Sequence, residues 1–399
     1  MPNLHLPPEI LDYIVDFLHS YPNVLQKCCL VSESWIPRAR KHLFAEVKIN
    51  TEENLEMWKK LFSDPSTSPA NFAQSLHVRC PRLVTAADAE VGGWLTGFAH
   101  IVRLEVKARD LYLGPLAVSL VPFHGFSRTI KSLHVDSIEV PPSEIFDFVL
   151  SSPLLEDLTV AGYKTPADDG DDSDGPPTFV HPSNPPVFTG SLQLFLEEAM
   201  KPITSRLLSI PGGIHFRSLT LKWNCREDIS STIALVRECS DTLESLDIGC
   251  NLYGASTGTC IPTGNLLLFL GDLGSTSVDL SKVTRLEDVT FRTNSPSPKW
   301  AIAALRTITP KHRDLRRISI SGTYFSTFIR FGNTPVITEQ TIGEWSELDR
   351  LLAQLWEAYS TPPRIVCRIP PGREKYARDF MGRLLPETTM GGTVNLFYS

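Results

Sequence analysis

Short stretches of alternating polar and apolar residues recur along this chain. Apolar residues at positions 1, 4 and 6 mark "LEDLTV" from Leu155, "LESLDI" from Leu243, "LEDVTF" from Leu286 and "LRRISI" from Leu315. Looser copies are "AQSLHV" from Ala73, "IVRLEV" from Ile101, "IKSLHV" from Ile130, "TGSLQL" from Thr189 and "FRSLTL" from Phe216. Alternation of this kind predicts a strand in each copy, with positions 4 and 6 turned to the core and positions 5 and 7 turned away from it. Between the strands, "EIFDFVLSS" from Glu144, "ISSTIALVREC" from Ile229 and "KWAIAALRTI" from Lys299 carry apolar residues at spacings of three and four, which predicts return helices. The chain opens differently, on "LPPEILDYIVDFL" from Leu6 to Leu18. Pro7 and Pro8 suit a first helical turn, and Glu9 sits at the positive end of the helix dipole. Ile10, Leu11, Ile14, Val15, Phe17 and Leu18 form two overlapping stripes, wider than the one stripe a helix needs to lie on a single core. Two of its faces need covering.

The period decides what the strands build. Successive copies start 25 to 29 residues apart, with two longer gaps of 34 and 43 residues that hold compositionally odd insertions. Strands alternating with helices would also suit a doubly wound sheet, but a period of 20 to 29 residues with L-x-x-L-x-L is the signature of leucine-rich repeats. Asn224, Asn251 and Asn294 fall eight places past position 1, where such repeats use a side-chain amide. The expected fold is therefore mixed α/β: N-terminal helices over residues 1–49, then an irregular leucine-rich-repeat solenoid over 50–330 with its strands in a concave parallel sheet. The stretch 165–186, with five aspartates and little to bury, reads as a disordered acidic loop within it. Residues 331–399 read as an αβαβ unit closing the open end of the sheet.

After the opening helix, "YPNV" at Tyr21 to Val24 reads as a turn, and Leu25, Cys28, Val31 and Trp35 recur at helical spacing. About 45 residues is near the size below which a lone core is marginal, so this unit needs a second surface. It either caps the domain that follows or meets another protein. Leu6-Pro7-x-Glu9-Ile10, Ile14, Leu18, "CLVSESW" ending at Trp35 and "HLFAEVKI" together resemble an F-box. The resemblance implies a three-helix unit that docks onto the Skp-type adaptor of cullin-RING ubiquitin ligases. It would place Leu6, Pro7, Glu9, Ile10, Ile14, Leu18, Leu25, Val31 and Trp35 at the adaptor contact, with Trp35 and Leu43 also locking the helices together. "TGSLQLFL" and "GGIHFRSLTLKW" resemble blocks of the F-box families of basidiomycete fungi and imply no substrate.

Composition narrows the rest. With 42% hydrophobic residues over 399, the chain can bury a sizeable core, and a formal net charge of -7 from interspersed charges argues against a nucleic-acid face. Eight cysteines are scattered without a CxxC pair or a histidine at zinc spacing, so reduced core thiols in an intracellular protein, of the cytoplasm or nucleus, are expected. No leader-like segment or N-x-S/T sequon is present, and the longest apolar run, near "LLLFL" at Leu266, is too short to cross a bilayer.

Enzyme chemistry finds no foothold. "GASTG" at Gly254 to Gly258 matches the G-x-S-x-G elbow, but "TCIPTG" follows where a helix should begin. The acidic loop has Gly170 and His181 where a calcium loop needs carboxylates, and no phosphate loop, dinucleotide fingerprint or HExxH motif occurs. No catalysis, metal or cofactor is expected. What remains is recognition. Positions 5 and 7 of the strands present a mixed polar face that includes Arg79, Lys107, His134, Asp136, Lys222, Asp247 and Arg292, suited to a protein target. The expected function is the substrate-recognition subunit of a ubiquitin ligase; a non-degradative scaffold with the same contacts is the alternative.

Overall fold

The computed structural model describes residues 7–61, 69–79, 94–95, 97–107, 109–110, 114–117, 119–136, 138–162, 186–195, 201–223, 227–250, 278–293, 298–322, 339–369, 385 and 394–398. The chain divides into two units, Met1–Val187 and Phe188–Ser399. Leu6, the acidic stretch from Thr165 to Pro185, the "GASTG" string and the three asparagines at the eighth position lie outside the described residues.

The first unit begins with helices α1 (Pro8–Phe17), α2 (Pro22–Val31) and α3 (Ile36–Leu43), with a 3-10 turn at Glu33–Trp35. Proline at the start of each of these three helices removes an amide donor that would have no partner there. Strand β1 (Glu46–Ile49) and helix α4 (Glu52–Leu61) follow. Strands β2 (Ser75–Val78), β3 (Arg103–Lys107), β4 (Arg109–Asp110), β5 (Gly114–Ala117), β6 (Ser132–Asp136) and β7 (Ile138–Glu139) come next. Helix α5 (Pro142–Leu150) and strand β8 (Asp157–Ala161) complete the described part of this unit. Strands β1, β2, β3, β6 and β8 pair in parallel in that order, and β4, β5 and β7 form a small separate sheet. Register follows the repeat: Leu76, Leu104, Leu133 and Leu158 lie side by side, as do Val78, Val106, Val135 and Val160. All eight are buried. Each such side chain is worth roughly 1.5–3 kcal/mol when fully buried, so the two rows are the spine of the unit.

In the second unit, β9 (Ser191–Phe195), α6 (Lys201–Leu208), β10 (Ser218–Trp223), α7 (Glu227–Glu238), β11 (Ser245–Cys250), β12 (Asp288–Thr293), α8 (Lys299–Leu305), β13 (Arg317–Gly322), α9 (Glu339–Ala358), β14 (Arg364–Ile369) and β15 (Val394–Tyr398) follow in turn. Its seven strands among the described residues pair in parallel in chain order. Leu192, Leu219, Leu246, Val289, Ile318 and Ile365 form one buried row. One backbone detail recurs at the strand starts: the carbonyl at position 2 accepts from two successive amides of the next strand. Val102 accepts from Lys131 and Ser132, Arg217 from Glu244 and Ser245, and Glu287 from Arg316 and Arg317. A repeated strand pitch with a shared turn produces this pairing, and it holds neighbouring repeats in one register.

Two expectations change. Thr189 is exposed, and Phe188 fills the buried place instead, its ring centre 4.9 Å from that of Phe216; the turn before β9 is offset by one residue. Thr290 and Ser319, at the outward position 5, are buried, as is Val366 beside them in register. Position 5 is therefore covered on these strands, while Arg292 at position 7 of β12 stays partly exposed. At the end of this unit β14 and β15 continue the strand ladder in the same parallel sense. The helix expected over 373–385 lies outside the described residues apart from Leu385.

Candidate functional site

The three N-terminal helices close on a small core of Val15, Leu25, Cys28 and Ala39, with Leu18, Cys29, Trp35 and Leu43 packed against it. A polar clamp ties α1 to α3. Arg38 donates from Nε to Asp16 Oδ1 at 2.6 Å and from its terminal nitrogen to Oδ2, and His42 Nε2 lies 2.7 Å from Oδ1. These bonds, Arg38's first, hold the Asp16 carboxyl well below the usual carboxylate range against the opposing effect of burial.

Outside that core an apolar face remains bare. Ile10, Tyr13 and Phe17 are 47%, 72% and 73% exposed. At spacings of three, four and seven they share one side of α1, with half-buried Ile14 beside them. Tyr21, Val24, Leu30 and Val31 add exposed apolar groups along α2 and the turn before it. Large exposed apolar residues scattered singly need no explanation, whereas a stripe confined to one helix face marks an interaction surface.

Of the residues expected at an adaptor contact, Pro7, Glu9, Ile10 and Val31 are exposed and Ile14 and Leu18 half-buried. Leu25 is a correction: at 1% exposure it is core, with no side-chain surface to offer. Trp35 is half-buried against the same core, in the locking role expected of it with Leu43. Tyr13 and Phe17, exposed in the same stripe, were not among the residues expected at the contact. Their signal was present, since both continue the stripe from Ile10 on the side opposite Val15.

The outward strand positions behave differently in the two units. In the first, His77 lies between two carboxylates, Nδ1 2.7 Å from Glu105 Oε2 and Nε2 2.9 Å from Glu46 Oε1. Lys107 Nζ sits 3.2 Å from Glu105 Oε1 and 3.3 Å from Asp136 Oδ2, and Arg79 reaches Glu105 at 3.5 Å. Burial alone would raise the Glu105 carboxyl, but Lys107 and His77 outweigh it and hold it at about 2. Half-buried His134 is pushed down by its burial and by Lys107. These cations and anions answer one another. An open groove of about 580 Å3 crosses the strand starts between Glu46, Arg103, Lys131 and Asp157, and there Lys131 pairs with Glu156 at 2.8 Å.

In the second unit, Arg292 grips Asp247 with two hydrogen bonds, 2.7 and 2.5 Å long. A Cβ on Gly249 would fall 2.5 Å from that of Arg292, so glycine is what lets β11 and β12 approach here. Lys222 Nζ lies 4.2 Å from the centre of the Phe195 ring. Phe195 and Gly249 carry no charge and were passed over as site residues, yet they shape the surroundings of the two cations.

Among the described residues no group of three or more histidine, cysteine, aspartate or glutamate side chains is placed to hold a metal. No helix among them is long and apolar enough to cross a membrane. Cys28, Cys29, Cys239 and Cys367 are free thiols, and burial pushes Cys239 up to about 12, out of the range of a reactive thiolate.

Comparison with known proteins adds little beyond this geometry. No family model matches the chain, and no curated protein matches it. Among solved structures, the leucine-rich repeat-containing protein LegL7 from Legionella pneumophila aligns over 85% of this chain and 97% of its own, at 11% identity and a TM-score of 0.34. At that score the likeness carries no weight of its own; the repeat architecture rests on the period, the strand register and the shared position-2 carbonyls.

Proposed function

We propose that this chain is the target-recruiting subunit of a Skp–cullin–F-box type ubiquitin ligase. Its N-terminal helices dock on a Skp-type adaptor, its strand face holds a protein target, and the chemistry of ubiquitin transfer is done by other subunits. The observation that carries this reading is the Ile10, Tyr13 and Phe17 stripe. It is left bare although the helices behind it already have a complete small core. A cap serving only the following repeats would turn its apolar surface inward. Docking would remove three large side chains from water at once, which is where the affinity of such a contact comes from. On this reading the protein works in the cytoplasm or nucleus, where cullin-RING ligases act.

The test is reconstitution. Purified full-length protein is mixed with a purified Skp-type adaptor and run on a sizing column, beside the double variant Ile10→Asp, Phe17→Asp. The wild type is expected to co-elute with the adaptor and the variant to run alone with an unchanged circular dichroism spectrum. Failure of the wild type to co-elute, or equal co-elution of the variant, overturns the proposal.

A further inference from the structure

Lys222 is a cation with no described carboxylate at ion-pair distance. It stands at position 7 of β10, half-buried, and its ammonium rests on the Phe195 ring of the neighbouring strand. A ring face attracts a cation without neutralising it. Two strands along, the same row holds Arg292, with Gly249 between them in register. Strand spacing sets the two backbones about 10 Å apart. Gly249 puts no side chain in that interval. Arg292 is committed to Asp247, and Arg317 pairs with Asp288 at 2.8 Å, but among the described residues Lys222 has no carboxylate at ion-pair distance. Burial pushes its ammonium below the ordinary value, and the charge of Arg292 pushes the same way, against the weaker pull of Asp247. The contrast with the first unit is direct, because Lys107 there is held by both Glu105 and Asp136.

We infer that the row Phe195, Lys222, Gly249 and Arg292 docks an acidic segment of a partner protein, with one carboxylate received at Lys222 and an adjacent apolar side chain against Phe195. Charge complementarity picks this occupant: a carboxylate supplies the counter-charge that no described residue gives Lys222 at ion-pair distance, and relieves the cost of its burial. A polyanion fits less well, since Asp247 and Asp288 stand in the same strands and the chain carries a formal net charge of -7. The inference rests on the strand face being the target-binding side; it does not need the ligase role.

Random dodecapeptides displayed on phage, panned against the immobilised full-length chain and its Lys222→Gln, Lys222→Arg and Lys311→Gln variants, the last removing an exposed cation away from the strand face, test it. The wild-type and Lys222→Arg pools are expected to be enriched in Asp and Glu beside aromatic or aliphatic residues, and the Lys222→Gln pool to lose that bias. The best peptide, made synthetically, should bind Lys222→Gln about tenfold more weakly, bind Lys311→Gln within about twofold of wild type, and weaken as salt is added. Thermal midpoints within about 2 °C of wild type confirm that the variants are folded. A wild-type pool without acidic enrichment, equal binding by Lys222→Gln, or tighter binding of a single-stranded oligonucleotide than of any peptide overturns the inference. Adaptor co-elution measured on the same proteins separates the two readings. Peptide capture that persists when the wild type ignores the adaptor removes the ligase role and leaves the acidic-segment site standing.

Discussion

Phe17 and Leu25 are both large apolar residues of the N-terminal helices, and the structure assigns them opposite consequences on truncation. Phe17 is 73% exposed, so about a quarter of its burial is already realised in the free protein. At 1.5–3 kcal/mol for a fully buried side chain, Phe17→Ala should cost stability only about 0.4–0.8 kcal/mol. If the stripe docks on an adaptor as proposed, the remaining three quarters, about 1–2 kcal/mol, is gained there, and its loss corresponds to a 5- to 30-fold fall in adaptor affinity. Leu25 is 1% exposed and sits among Val15, Cys28 and Ala39, so Leu25→Ala should cost about 2–5 kcal/mol, a large share of what a unit this small can hold. Because the chain has two units and need not unfold in one step, the stability arm is best read by hydrogen exchange at the amides of α2 and α3 rather than by a global melt. The affinity arm is a titration with purified adaptor. If Phe17→Ala raises exchange in α2 and α3 as much as Leu25→Ala does, the stripe is structural and the reasoning fails. It fails equally if Phe17→Ala leaves adaptor affinity within twofold of wild type.

Two further outcomes follow from polar groups, one buried and one half-buried. His312 is fully buried; its Nε2 donates to the Leu280 carbonyl at 2.9 Å and its Nδ1 accepts from the Thr309 amide at 3.1 Å, so His312→Phe should lower stability by about 2–5 kcal/mol in urea titrations. A loss below about 1 kcal/mol would mean water takes over both bonds. Glu105 has a folded value of about 2 against about 4.5 unperturbed, so its contribution is complete above pH 4.5 and is lost as pH falls from there toward 2. The difference in thermal midpoint between wild type and Glu105→Gln should therefore shrink over that interval, and a difference independent of pH would refute the assignment.

The inward rows were legible because burial leaves little choice. Leu76, Leu104, Leu133 and Leu158 appear in the sequence as one letter at one phase, and in the sheet they are neighbours. What the pattern could not supply was anything set by residues far away in the chain. Ser319 is polar and stands at an outward position, yet it is buried beside Val366, 47 residues further on, because β14 extends the ladder. Thr189 met the apolar-spacing template only loosely, and a one-residue offset in the turn puts Phe188 in its place. The short strands β4, β5 and β7 have too few residues for a period to register. In the N-terminal helices the width of the apolar stripe was visible, and the structure buries one side of it and leaves the other exposed. Which residue belonged to which surface was not, since Leu25 and Val31 are equally apolar and only the packing of α2 against α3 buries one and leaves the other out.

Outward residues are free to vary only where they have no partner, and this changes what charge reversal should do along the strand rows. Lys107 lies between Glu105 and Asp136, so Lys107→Glu removes two ion pairs and brings three carboxylates together on adjacent strands. Like charges directly opposite one another across a strand pair are destabilising. That substitution should lower the thermal midpoint, and any loss of binding would follow from the damage. Lys222→Glu takes away a half-buried cation that no described carboxylate holds, so it should leave the fold close to wild type and act on target capture alone. Measured side by side by thermal melting and by peptide or target capture, the first variant should show a folding defect and the second a binding defect. If Lys107→Glu melts like wild type while Lys222→Glu unfolds, the ion-pair network of the first unit is not holding its strands, and the charge taken to be open in the second unit is structural.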